Sequence, residues 1–161
     1  MFNSWKPYQI FDPAYGSFSF VSTLVVAGSN IPTPIPQSIT EISQGTFLLP
    51  PLPSSKVTVQ ETGIYKFSYS LQFSKSGGNP SICDIWIRVN GVDVPRSSSQ
   101  IVVSGNNGET FPYCEYILSL KANDYIETYF QSPDTSMMAL YISTIGIPVV
   151  PSIITNIIRI A

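Results

Sequence analysis

Gly63-Ile64-Tyr65-Lys66-Phe67-Ser68-Tyr69-Ser70-Leu71-Gln72-Phe73 decides how this chain is read. Tyr65, Phe67, Tyr69, Leu71 and Phe73 alternate with Lys66, Ser68, Ser70 and Gln72. A period of two is the signature of a strand with one face in a core and the other turned outward. No segment of ten or more residues carries a comparable helical period, so the rest of the chain is read in the same register.

Outward from that strand, turn residues separate further short strands. Cys83 to Val89 places Cys83, Ile85, Ile87 and Val89 on one face and Asp84, Trp86 and Arg88 on the other. Asn90-Gly91 then predicts a tight hairpin, because both positions accept positive φ. Val92 to Val94, Gln100 to Val103, Tyr113 to Leu120, Tyr125 to Ser132, Met137 to Ile145 and Ile153 to Ile160 continue the pattern. Upstream lie Tyr15 to Val26, Thr46 to Leu49 and Lys56 to Gln60. The proline-spaced stretch Ile31 to Pro36 is restricted to an extended or edge segment. Eight to ten strands without a helix predict an all-β fold, a single antiparallel β-sandwich of jelly-roll type, over residues 14–161. Residues 1–13 read as a separate aromatic arm carrying Phe2, Trp5, Tyr8 and Phe11.

Composition narrows the function. The 161 residues contain no histidine and two cysteines, Cys83 and Cys114. An imidazole base, a His-ligated metal and a Ser-His-Asp triad are therefore excluded. Glu115, Asp124 and Glu127 have no spacing that marks a catalytic carboxylate pair, and no enzyme activity, cofactor or metal is expected. A Ca²⁺ loop from Asn106, Asn107 and Asp134 is chemically allowed but has no EF-hand-like spacing. The net charge is −2 with scattered basic residues, which gives no footprint for nucleic acid. No apolar run approaches a membrane span, and no signal peptide is expected. Charged residues make up only 11% of the chain, against ~25% in soluble domains, so the surface is expected to be covered by Ser, Thr, Asn and Gln or by other subunits.

Two motifs carry a resemblance. Gly63-Ile64-Tyr65-Lys66-Phe67-Ser68-Tyr69 is similar to the Gly-x-Tyr-x-Phe-x-aromatic signature of the C1q/TNF-like jelly-roll superfamily. Leu120-Lys121-Ala122-Asn123-Asp124-Tyr125-Ile126 resembles its Leu-x-x-Gly-Asp-x-hydrophobic turn, with Asn123 in the place of glycine. The run Asp84 to Pro95, the Tyr15-Gly16-Ser17-Phe18 opening and the Pro148 to Ile160 ending look like the variant in structural proteins of phages and large DNA viruses. The chain lacks the Gly-x-y stalk of C1q-type ligands.

That resemblance implies self-association about a threefold axis along the sheet that holds the last strand. Tyr113 falls where the family places an interface aromatic, with Glu115 and Ile117 following it. Lys66, Ser68, Ser70 and Gln72 fall on the same sheet face. The last strand carries Ile154, Ile158 and Ile160 on one face and Ile153 and Ile157 on the other. Two apolar faces need two kinds of cover, and Ile153 and Ile157 are expected at the subunit interface. Cover by the chain's own arm is the alternative. The resemblance also allows a disulfide between Cys83 and Cys114, against two free thiols in a cytoplasmically assembled particle.

The expected role is thus a virion structural protein located in the particle: a fibre head, spike or minor capsid component. A homotrimer is favoured, with a homopentamer at a fivefold vertex as its variant. The arm either docks into other capsid proteins or straps its own domain. The competing reading is a soluble C1q/TNF-like ligand or carbohydrate-binding module using Trp86, Phe111 and Tyr113.

Overall fold

A computed structural model describes residues 13–161. In chain order the strands are β1 (Tyr15–Phe20), β2 (Leu24–Val25), β3 (Thr33–Pro34), β4 (Ile39–Gln44), β5 (Thr46–Leu48) and β6 (Val57–Val59). There follow β7 (Gly63–Leu71), β8 (Phe73–Lys75), β9 (Ser81–Val89), β10 (Val92–Asp93) and β11 (Ser99–Val103). The last are β12 (Glu109–Thr110), β13 (Tyr113–Leu120), β14 (Tyr125–Gln131), β15 (Met137–Ala139) and β16 (Ile153–Arg159). The arm residues Phe2, Trp5, Tyr8 and Phe11 lie outside the described residues.

Two antiparallel sheets form the sandwich. One has the order β13-β7-β16-β1-β4. The other runs β10-β9-β14-β6-β5, with β11 added on β9 and β3 on β14. A smaller sheet, β12-β8-β15-β2, repeats the order of the first with adjoining segments of chain. The fold is the all-β jelly-roll sandwich expected from the alternation. More and shorter strands are present than expected, because long strands break: β1 and β2 are one predicted strand divided at Val21–Thr23, and β7 and β8 are divided at Gln72.

The core is the inner face of each sheet. Tyr65, Phe67, Tyr69, Leu71 and Phe73 are all at most 1% exposed and meet Cys83, Ile85, Ile87 and Phe130 from the other sheet. The rings of Phe73 and Phe130 lie 5.3 Å apart. Lys66, Ser68 and Ser70 point the other way, as strand geometry requires.

The turns follow the predicted chemistry. Asn90 and Gly91 take φ of 53° and 78°, and Asn123 takes 71°. The left-handed conformation required at Asn123 explains why asparagine substitutes for glycine there. The two turns also clasp one another. Asn90 Nδ2 donates to Asp124 Oδ1 at 2.7 Å, and Tyr125 N donates to Asn90 Oδ1 at 3.0 Å. Hydrogen bonds from Asn90 and from the Lys121 amide hold the Asp124 carboxyl below its ordinary range.

One assignment is corrected by the packing. Ile153 and Ile157 are fully buried within the single chain, whereas Ile158 and Ile160 are 48% and 50% exposed. The alternation along β16 holds, but the core takes the Ile153 and Ile157 side and leaves the side of Ile154, Ile158 and Ile160 outermost, the reverse of the expectation. Ile153 lies opposite Leu71 and Ile157 opposite Phe67, so both inherit the core-facing side of β7. They cannot line a subunit interface.

The cysteines are both free thiols. Cys83 is on β9 and Cys114 on β13, strands of different sheets. Burial pushes the Cys83 thiol up to about 12, with the Asp84 charge adding to the effect. Cys114 instead sits 3.5 Å from the Ser99 hydroxyl. The bridge suggested by the resemblance is not formed.

Candidate assembly surface

The outer face of the five-stranded sheet is a grid of side chains, and strand register fixes its rows. Tyr113, Ser70, Ile154, Ser19 and Ile39 form the first row. Glu115, Ser68, Asn156, Ser17 and Ile42 form the second. Ile117, Lys66, Ile158, Tyr15 and Gln44 form the third. Beyond it, Ser119 faces Ile64, whose carbonyl accepts from the Ile160 amide.

Register therefore brings Tyr113, Glu115, Ile117, Lys66, Ser68 and Ser70 onto one face of two neighbouring strands. Gln72 follows just past the end of β7, where its amide donates to Glu109 Oε2 at 2.7 Å. Ile153 and Ile157 are absent from the face for the reason given above. Ile154, Ile158 and Ile160 take their place, together with Ile39, Ile42 and Tyr15. Sequence parity shows which residues share a face but not which face is inside.

The apolar groups on this grid are large and uncovered within the chain. Ile117 is 69% exposed, Tyr113 57% and Ile42 56%. A hollow of about 250 Å³ lies between β16, β1 and β4, lined by Tyr15, Gly16, Ser17, Ile42, Asn156 and Ile158. Gly16 belongs to β1's inward face, where a Cβ would run into the Phe18 ring at 2.6 Å and into Thr46 Oγ1. The segment that leads into β16 carries further exposed apolar residues, Ile145, Ile147 and Val149.

Polar groups are concentrated in the middle. Lys66 Nζ lies 2.8 Å from Glu115 Oε2, and the Tyr113 hydroxyl donates to the same oxygen at 2.9 Å. The hydrogen bond to Glu115 raises the Lys66 pKa, and those from Lys66 and then Tyr113 lower that of Glu115. Both ions are solvated, and their pairing leaves no net charge in the middle of the face. The Lys66 register position, between Ile117 and Ile158, sets its aliphatic stem among isoleucines while the ammonium reaches Glu115. Such an arrangement suits a face that is covered by a neighbour: apolar corners, with the central charges already neutralised.

The remaining predicted groups are scattered. Tyr113 belongs to this face and Phe111 is exposed just before it in the chain, but Trp86 lies on the outer face of the other sheet, so the three do not form a single sugar platform. Asn106, Asn107 and Asp134 do not form a Ca²⁺ cradle. The Lys75 ammonium, 1% exposed, fills the corresponding position, with Asp134 Oδ2 at 2.8 Å and the carbonyls of Gly77 and Asn79 at 3.1 and 2.6 Å. Lys75 and the Ser136 hydroxyl pull the Asp134 carboxyl down to about 2. Among the described residues no group of three His, Cys, Asp or Glu is placed to hold a metal. No helix there is long and apolar enough to cross a membrane.

No family model and no curated protein matches this chain. Solved structures do. Murine APRIL at pH 8.0 superposes with a TM-score of 0.58 at 12% identity, over 92% of this chain and all of that one. The pH 5.0 structure of murine APRIL gives 0.54 at 11% identity, with the same coverage. At that identity the likeness establishes fold alone: this chain is a TNF-like β-sandwich.

Proposed function

We propose that this chain is a non-enzymatic structural protein that assembles as a homotrimer through the outer face of its five-stranded sheet, and that it serves a virion as a fibre head, spike or minor capsid component. The observation that carries the reading is the row Ile117, Lys66, Ile158, Tyr15. A single chain leaves this row open, and its neighbours Ile154, Ile160 and Ile42 extend it. Large apolar side chains left uncovered around a neutralised ion pair on a folded domain mark a contact site. The C1q/TNF-like resemblance supplies the threefold arrangement, and a fivefold vertex uses the same face around a different axis. The virion setting is supported by the similarity of Asp84 to Pro95 and of both ends of the domain to viral structural proteins. The arm, with Phe2, Trp5, Tyr8 and Phe11, is proposed to dock into other capsid proteins.

Sedimentation equilibrium tests the assembly, and the protein composition of purified particles tests the setting. A trimer found in particles supports the proposal. A chain consistently missing from particles removes the virion role. The structural likeness to murine APRIL favours a second reading, a soluble C1q/TNF-like ligand, and a trimer missing from particles would select it.

A further inference from the structure

The outer face of the other sheet holds a pocket that assembly does not use. Its volume of about 570 Å³ falls within the ~300–1,000 Å³ of small-molecule sites. Asp84, Trp86 and Arg88 of β9 form its floor, with Gln131 of β14 beside them, and the turn after β10 forms its wall. That wall is fixed. Buried Ser97 bonds the Ile87 amide through its hydroxyl at 3.2 Å, and its carbonyl accepts from the Tyr116 hydroxyl at 2.8 Å.

Trp86 is held as a rigid plate. Its ring stacks on Tyr129 at 5.7 Å and 26°, and its Nε1 donates to Asp93 Oδ1 at 2.7 Å. Tyr129 is not part of the lining, whereas Arg88 is, and its guanidinium carbon lies 5.7 Å from the indole centroid. The charges are unevenly satisfied. Asp84 accepts from Gln100 at 2.9 Å and from Gln131 at 3.3 Å. Asp93 pairs with Arg88 at 2.6 Å. Arg96, exposed at the rim with φ of 64°, has no ion pair or side-chain hydrogen bond among the described residues. The pocket therefore offers an aromatic plate, a floor of amide and carboxylate groups, and one uncommitted guanidinium.

We infer that this pocket binds an acidic sugar: a pyranose ring on Trp86, hydroxyls on Asp84, Gln131 and Ser98, and the sugar's carboxylate on Arg96. Aromatic rings offer pyranoses a flat apolar surface, and arginine pairs a carboxylate through two parallel N–H bonds. The site faces away from the proposed assembly surface, so an assembled particle would display it outward.

Saturation-transfer NMR on the full chain tests this with sialyllactose and a glucuronic-acid disaccharide as probes and lactose as the neutral control. Both acidic sugars are expected to bind, at least about tenfold more tightly than lactose. Arg96→Asn should remove that preference. Asparagine tolerates the left-handed turn, so this variant keeps its fold. Trp86→Ala should abolish binding, with its melting curve confirming that the fold is retained. No transfer to either acidic sugar, equal binding of lactose, or unchanged binding by Arg96→Asn would overturn the inference. Binding by a chain that stays monomeric would support this site while removing the assembly proposal.

Discussion

Replacing Ile117 and Ile158 together by threonine removes the two isoleucines that flank Lys66 in the third row while keeping β-branched side chains in both strands. Fully burying an isoleucine contributes ~1.5–3 kcal/mol. With 69% and 48% of the two residues exposed, their cover by a neighbour is worth about 2 kcal/mol per chain to assembly. Three chains bring the loss to about 6 kcal/mol, or roughly a 10⁴-fold weaker overall association constant. The isolated fold should hardly change, because exposed substitutions of this kind shift stability by ~0.5 kcal/mol. Sedimentation equilibrium of the variant and the parent chain reads the first effect, and urea unfolding of monomeric protein reads the second. A variant that associates as the parent does would refute the reasoning, as would a variant monomer destabilised by several kcal/mol.

Asp134→Ala strands the Lys75 ammonium in the interior and should destabilise the fold by about 3 kcal/mol in urea unfolding. Because the folded Asp134 pKa is depressed to about 2 from an unfolded value of ~3.9, its contribution is present above pH ~4 and fades as pH falls toward 2. The parent chain should lose that increment in acid and Asp134→Ala should not; parallel pH profiles would contradict the pairing. Deleting residues 153–161 removes β16 from between β7 and β1 and should prevent folding, so a soluble truncation with a cooperative melt would contradict its central placement. Under native conditions Cys83 should resist alkylation, and both thiols should titrate after unfolding without reductant; a bridged peptide in mass spectrometry would reverse that assignment.

Most of the fold was legible because β7 states its period without ambiguity and because asparagine and glycine mark turns that demand positive φ. Strand β4 was not, since Ile39-Thr40-Glu41-Ile42-Ser43-Gln44 is exposed along its whole length and shows no alternation. An edge strand held by backbone bonds to one neighbour leaves no burial pattern in its sequence. The outward side of the five-stranded sheet is legible on β13 and β7, where a single core-facing set is plain. It was misread on β16, where isoleucines occupy both sides and only pairing with Phe67 and Leu71 decides which side is inside. The pocket around Trp86 was invisible for a related reason. Arg96, Asp84 and Gln131 come together through a turn and two sheet partners, and no local spacing records that.

In the proposed assembly, the outer face of the five-stranded sheet is completed by other copies of this chain. Native mass spectrometry of the intact protein reads that stoichiometry. A species at three times the 17.7 kDa chain mass, lost in the double threonine variant, is the predicted result. A chain that stays at its single mass across the concentration range would contradict it.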